Sequence, residues 1–204
     1  MTDTSANGDT HWQSFMNCPS TYVESRHLAQ CFGGAISDAG CARLLQLPRL
    51  RSRLDNLLAI HHGLPQPIPP ELVDAADRNV AMASRDELHD ITLRAGAIRW
   101  AKSFAAMILS KDASALNGVL RQDLYDFAMI NRDLSGPTQP IGSVDDLLAR
   151  LTADGRDCLA AWCKVVPAAV GARVRLRLVP NELNDDPVEG LAEVGPLVIR
   201  RAAG

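Results

Sequence analysis

Between residues 84 and 110 the apolar positions follow a helical beat. Ser84-Arg-Asp-Glu87 has the form of a capping box, in which Ser84 accepts from the Glu87 N–H while Glu87 reaches back. Behind it Leu88, Ile91, Ala95, Ile98, Ala105 and Leu109 recur at helical spacings, and Leu93, Ala97, Trp100, Phe104 and Met107 cover an adjacent face. A helix apolar on two faces is buried between others. This segment, from about 85 to 110, is therefore predicted to be the spine of the fold.

Shorter helical patterns flank the spine. One begins at about Ser25, places Leu28, Cys31 and Phe32 on one side, and stops at Gly33-Gly34. A second starts near Ser37 or Asp38 and carries Cys41, Leu44 and Leu45. Pro48 suits a first helical turn, where its missing N–H costs nothing. Leu50, Leu54, Leu57 and Leu58 then form a core-facing stripe that ends at Gly63. Pro65-Gln-Pro-Ile-Pro-Pro70 cannot continue a helix and reads as an extended break. A helix restarts near Glu71. Beyond the spine, Asp112 is placed to cap a helix lined by Leu116, Leu120, Phe127, Ile130 and Leu134, which Gly136-Pro-Thr-Gln-Pro140 ends. Ser143-Val-Asp-Asp146 opens another, carrying Leu147, Leu148, Leu151, Leu159 and Trp162, with Gly155 as a point of division.

Two stretches depart from this beat. Ala172-Arg-Val-Arg-Leu-Arg-Leu178 alternates apolar and basic residues, and reads equally as a strand or a helix end. Leu197-Val-Ile199 reads as a final short strand. The expected architecture is mainly α: a compact multi-helix domain over 15–180, interrupted at 65–70, with the option of a short β element near the C-terminus. A flexible polar tail is expected over 1–14 and a polar C-terminal extension over 181–204.

Composition narrows the function classes. The chain has 204 residues, 47% of them hydrophobic and 22% charged. That is enough to bury a core without metals or disulfides, leaving disorder to the ends. The net charge of −3 carries no basic footprint of the kind nucleic-acid binders show. The first ten residues lack a basic and an apolar region, and the longest apolar runs, 104–109 and 158–163, fall far short of a bilayer span. A cytoplasmic protein without leader or membrane span is expected. Cys18, Cys31, Cys41, Cys158 and Cys163 form no CxxC or zinc-finger spacing, and are expected to be reduced thiols packed as small hydrophobes.

Candidate chemistry is sparse. No phosphate-binding loop, nucleophile elbow or HExxH is present, and the adjacent His61 and His62 cannot share one helix face. His89, among Asp86, Glu87 and Asp90, could be a general base, but an acidic first helical turn explains the same residues. Asp145-Asp146 at a helix start and Asp185-Asp186 in a loop require no catalysis. Trp12, Trp100 and Trp162 are expected to pack in or at the edge of the core. No cofactor is expected. Two basic clusters remain as partner-binding candidates: Arg49, Arg51 and Arg53 on a helix, and Arg173, Arg175 and Arg177, which would share one face if extended. Arginine is favoured at protein interfaces because its flat guanidinium pairs carboxylates through two bonds, although a merely solvated face explains either cluster.

Several segments in order resemble one family. Phe15-Met-Asn-Cys-Pro-Ser-Thr-Tyr22, followed by a helix and Leu47-Pro-Arg-Leu-Arg-Ser-Arg-Leu54, is similar to the opening of the SctK type III secretion accessory proteins, which include YscK, HrpD and NolU. The Ala95–Trp100 helix and Leu120-Arg-Gln-Asp-Leu-Tyr125-Asp-Phe-Ala128 are similar to that family's middle section, and Arg173–Pro180 to its C-terminal section. The likeness covers about residues 15–180. It implies a mostly helical, non-enzymatic protein of the cytosolic sorting platform beneath the injectisome, peripheral to the inner membrane. The implied partners are the cytoplasmic domain of the ring protein SctD and the SctQ pods, with an indirect link through SctL to the SctN ATPase. Two other readings compete: a helical regulator or chaperone holding a partner helix, and a small enzyme with a cryptic site near His89 or between the halves flanking 65–70.

Overall fold

The computed structural model describes residues 3–108, 120–143, 146–186, 188 and 190–204. Among them are ten α-helices and no strand. In chain order these are α1 (Asp3–Asn17), α2 (Ser25–Cys31), α3 (Asp38–Leu45), α4 (Arg51–His61), α5 (Ala75–Met82), α6 (Arg85–Ile108), α7 (Gln122–Ile130), α8 (Leu147–Val165), α9 (Ala168–Arg175) and α10 (Leu191–Ala203). The mainly α expectation holds. Asp112, Leu116 and Asp145 lie outside the described residues. No helix is long and apolar enough to cross a membrane among the described residues.

Contacts gather into two compact units, Met1–Arg85 with Cys163–Glu182, and Asp86–Trp162 with Leu183–Gly204. In the first, Val23, Leu28, Ala29, Cys41, Leu54, Leu58 and Leu176 form the core between α2, α3 and α4. Ser37 caps α3 by accepting from the Gly40 N–H at 3.2 Å. Asp55 accepts from the Ser20 N–H at 2.8 Å, and the Glu24 N–H donates to the Leu176 carbonyl at 2.8 Å. These two bonds fix the turn between α1 and α2.

The N-terminal expectation is corrected. Residues 3–17 are helical, with Trp12, Phe15 and Met16 all at 2% exposure or less. They fall at i, i+3 and i+4, so one turn of α1 carries a complete apolar face. Trp12 donates its Nε1–H to the Ile68 carbonyl at 2.8 Å, which binds the proline-rich segment to α1. That segment is extended, as its prolines require, and lies inside the first unit.

In the second unit Ala97, Trp100, Ala101 and Phe104 of α6 pack with Leu124 and Ala128 of α7 and with Leu147 and Leu151 of α8. Gly155 does not divide α8, which runs unbroken from Leu147 to Val165. Its role is contact. A Cβ at Gly155 would overlap the Thr92 carbonyl oxygen of α6, and a Cβ at Gly96 would overlap the Leu151 carbonyl oxygen of α8. Two reciprocal glycines thus let the helix backbones touch. Trp100 donates to Asp154 Oδ2 at 2.6 Å beside this crossing, and burial raises the Asp154 carboxyl above its usual range.

Of the two readings of 172–178 the helix end holds, and the strand reading of Leu197–Ile199 is overturned. Residues 168–175 are helical in α9, followed by a turn. Leu197–Ile199 lies within α10, where Leu191, Gly195, Val198, Ile199 and Ala202 form a buried helical stripe that Pro196 interrupts in sequence only. The extension is thereby structural: Arg201 bonds Asn131 Oδ1 at 3.0 Å and approaches Asp133 at 3.7 Å, tying α10 to the end of α7.

Gly155→Ala is expected to destabilise the protein by about 3 kcal/mol, since overpacking against fixed backbone has no side chain to yield. At a non-contacting helical glycine the same change stabilises by about 0.5–1 kcal/mol. Urea denaturation measures the sign: a stabilised Gly155→Ala variant would refute the close crossing.

Candidate functional site

The six candidate arginines separate by environment. Arg173 and Arg177 are 3% and 6% exposed and lie in the core of the first unit. Their spacing of four, which reads as alternation along a strand, puts both on one face where α9 runs into its terminal turn. Arg173 donates from Nε to the Met16 carbonyl at 2.8 Å, and from Nη1 to Pro65 at 3.0 Å and Ala169 at 2.9 Å. Arg177 donates from Nη1 to the carbonyls of Ala81, at 2.7 Å, and Ala83. Its guanidinium lies 4.8 Å from the Phe15 ring centroid and 4.7 Å from that of Tyr22. Tyr22 donates its hydroxyl to the Phe15 carbonyl at 2.8 Å, and burial pushes its phenol upward.

Three of these carbonyls sit at helix ends, Met16 at that of α1 and Ala81 and Ala83 at that of α5, where the last turn leaves acceptors without intrahelical donors; Pro65 lies in the proline-rich segment and Ala169 in the first turn of α9. A cation there also meets the negative end of the helix dipole. The cost is a lowered Arg173 pKa, caused by burial. These two side chains face inward, so as partner-binding residues they are corrected to structural ones. Arg175 is half-buried.

Arg49, Arg51 and Arg53 are exposed. Arg49 belongs to the 3-10 turn Pro48–Leu50, and the other two to the first turn of α4. Arg53, Asn56 and Ile60 fall at i, i+3 and i+7, opposite the buried Leu54 and Leu58. Ile60 is 81% exposed. The outer side of α4 is therefore a ridge with basic residues at its start and an uncovered isoleucine near its end. Arg51 turns elsewhere, toward Cys18, whose thiol is raised by burial and by Asp55 and lowered by this guanidinium.

One cluster went unread in the sequence. Cys31 ends α2, His61 ends α4, and His62 caps α4. Their ligand-type atoms lie within 4.8 Å of one another. Cys31 Sγ is 3.9 Å from His62 Nε2. Both groups approach one acceptor, the His27 carbonyl, at 3.3 Å from Sγ and 3.2 Å from Nε2. The rings of His27 and His62 meet edge to face with centroids 5.1 Å apart, and those of His61 and His62 at 4.9 Å. The reasoning that adjacent histidines diverge holds inside a helix. Here the helix ends between them, and Gly63 at φ +58° turns the chain away.

His89 stands exposed near the start of α6, and Asp146, Asp185 and Asp186 are exposed. Trp12, Trp100 and Trp162 are buried, as expected. A cleft of about 440 Å³ is lined by Asp9, His11, Glu71 and Arg78, among others, and Arg78 is held there by the Pro70 and Val73 carbonyls at 2.8 and 2.9 Å.

Arg177→Met is expected to cost about 3 kcal/mol or more, because buried carbonyls lose a charged donor. Arg177→Lys should recover little, since an ammonium lacks the planar fork. Joint Glu substitution of Arg49, Arg51 and Arg53 should leave the denaturation midpoint nearly unchanged. Equal losses in both variants would contradict the division.

The histidines set a pH dependence. Burial, the largest cause, lowers both His27 and His62 from the ordinary value of about 6.5. Between their folded values and about 6.5 the unfolded chain binds more protons, so stability is full above 6.5 and falls as pH drops toward the folded values. Urea midpoints at pH 7.5, 6.5 and 5.5 should show this decline, and His62→Gln should flatten it. A decline of the same steepness in the variant would remove His62 as a cause.

Comparison with family models, curated proteins and solved structures finds no match for this chain.

Proposed function

We propose that this chain is a non-enzymatic adaptor of a type III secretion sorting platform, of the SctK kind. It links SctQ-containing pods to the cytoplasmic domain of the inner-membrane ring protein SctD, with SctL and the SctN ATPase reached indirectly. Its place is cytoplasmic and peripheral to the inner membrane. The reading is supported by the ordered resemblance of the segments at 15–22, 47–54, 95–100, 120–128 and 173–180. Several of these residues also carry weight in the fold: Phe15 and Tyr22 stack on Arg177, while Trp100, Leu124 and Ala128 pack in one core.

The observation that carries the adaptor reading is the α4 ridge. Arg53 is exposed on the same outer side of α4 as the uncovered Ile60, and Arg49 is exposed in the turn that leads into the helix. An apolar residue rimmed by arginine suits a protein partner with an acidic border. A helical regulator that holds a partner helix would use the same ridge, and differs only in which protein is recovered.

Tagged protein purified from secretion-induced bacteria is expected to carry SctQ, SctL and SctN, and the SctD cytoplasmic domain more weakly. Charge reversal at Arg49, Arg51 and Arg53 should weaken one of these contacts about tenfold, equivalent to ~1.4 kcal/mol, with helicity unchanged by circular dichroism. Recovery of none of the four by folded protein would end the sorting-platform reading. Recovery of a different helical partner would favour the regulator.

A further inference from the structure

We propose that Cys31, His61 and His62 form a zinc(II) site that clips the end of α2 to the end of α4. Thiolate and imidazole are the donors that borderline cations of this type prefer, and the set contains no carboxylate that would favour magnesium or calcium. Three ligand-type side chains converge from two helices, although residues 31 and 61 lie far apart in sequence.

The geometry is close to what a tetrahedral ion needs. Zinc–sulfur bonds of about 2.3 Å and zinc–nitrogen bonds of about 2.0 Å place sulfur and nitrogen roughly 3.5 Å apart. Cys31 Sγ and His62 Nε2 are already 3.9 Å apart. His61 is exposed, so its ring can close the remaining gap by rotation about its own side-chain bonds. The cluster lies at the surface edge of the first unit, with Cys31 and His62 half-buried, which leaves a fourth position for water.

Hydrogen bonding holds the two inner ligands in place beforehand. The Cys31 thiol and His62 Nε2 both point at the His27 carbonyl. On binding, the thiol proton leaves to solvent and the sulfur lone pair goes to the metal. Before binding, the His62 Nε2–H donates to the His27 carbonyl; on binding, Nε2 gives up that proton while Nδ1 takes one from solvent, and the freed Nε2 lone pair goes to the metal in place of this hydrogen bond. One proton is released for each zinc bound, and the His27 carbonyl keeps its place in α2. The site's ligands come from the ends of two helices of the first unit, so its role is to fasten them. The site does not depend on the adaptor reading, because its ligands lie apart from the arginines of the ridge.

The full chain, reduced and stripped with EDTA, is titrated with zinc against a chromogenic chelator and, separately, with cobalt(II). One zinc per chain is expected. Cobalt should give a thiolate charge-transfer band in the near ultraviolet, with the visible bands of a tetrahedral ion. Cys31→Ser should abolish the charge-transfer band. His61→Ala, a change at an exposed position that leaves the core intact, should weaken zinc binding at least tenfold. Cys18→Ser should bind as the parent does. Zinc should raise the thermal midpoint of the parent and leave that of Cys31→Ser unmoved. The site is refuted if Cys31→Ser and His61→Ala bind zinc like the parent, if the parent gives no charge-transfer band, or if copper(I) binds and zinc does not.

Discussion

The first unit is held at its centre by two guanidinium groups that main-chain carbonyls solvate. Arg173 reaches carbonyls of α1, the proline-rich segment and α9, and Arg177 those at the end of α5. A buried cation is costly unless its donors are satisfied. The orphaned carbonyls of helix C-termini are buried acceptors in need of donors. Through Arg173 Nε and Nη1 and Arg177 Nη1, each group supplies part of what the other requires. Residues 16, 65, 81 and 173 are far apart in sequence, so this exchange sets which parts of the chain fold together. Lysine could not do the same work, because one ammonium cannot bridge separate segments with a planar fork while stacking on Phe15 and Tyr22.

The second unit depends on contact of a different kind. Gly96 and Gly155 bring the backbones of α6 and α8 together without a side chain between them. Once the helices cross so closely, Trp100 can reach Asp154, and Arg150 comes to lie 5.1 Å from the indole centroid. The segment after α7 is then laid along α6. The Gly136 N–H donates to the Arg99 carbonyl at 2.9 Å, and the Gln139 N–H to Ser103 Oγ at 2.8 Å. A main-chain carbonyl and a hydroxyl on α6 thus accept a chain segment that its prolines bar from helix formation.

Helices written by regular spacing were legible: α2, α3, α4 and α6 start and stop close to where capping residues, prolines and glycines place them. The misreadings have separate causes, and the first is that two periods can fit one short run. Arg173-Val-Arg-Leu-Arg177 alternates like a strand, yet residues 173 and 177 also sit one helical turn apart. Choosing between them required knowing that carbonyls wait on one side. Pro196 made Leu197–Ile199 look like a separate strand, although Leu191, Gly195, Val198, Ile199 and Ala202 keep helical register across it. Polar residues 3–10 hid α1, whose apolar face occupies only its final turns.

The arginines and the histidine cluster show why composition reveals so little about sites in a chain like this. Arg49 and Arg177 are the same residue in equally basic runs, and one lies in water while the other lies in the core. What separates them is the pair of carbonyls at the end of α5 that Arg177 meets, which is a property of helix ends brought together by folding. The same holds for Cys31, His61 and His62. Successive residues within a helix diverge by about 100°, so face counting separates His61 from His62. At a helix end that rule lapses, because the cap residue leaves the helical path. Groups gathered where two helices terminate therefore escape any reading based on period. In this protein the inward arginines and the thiol–imidazole cluster are both of that kind.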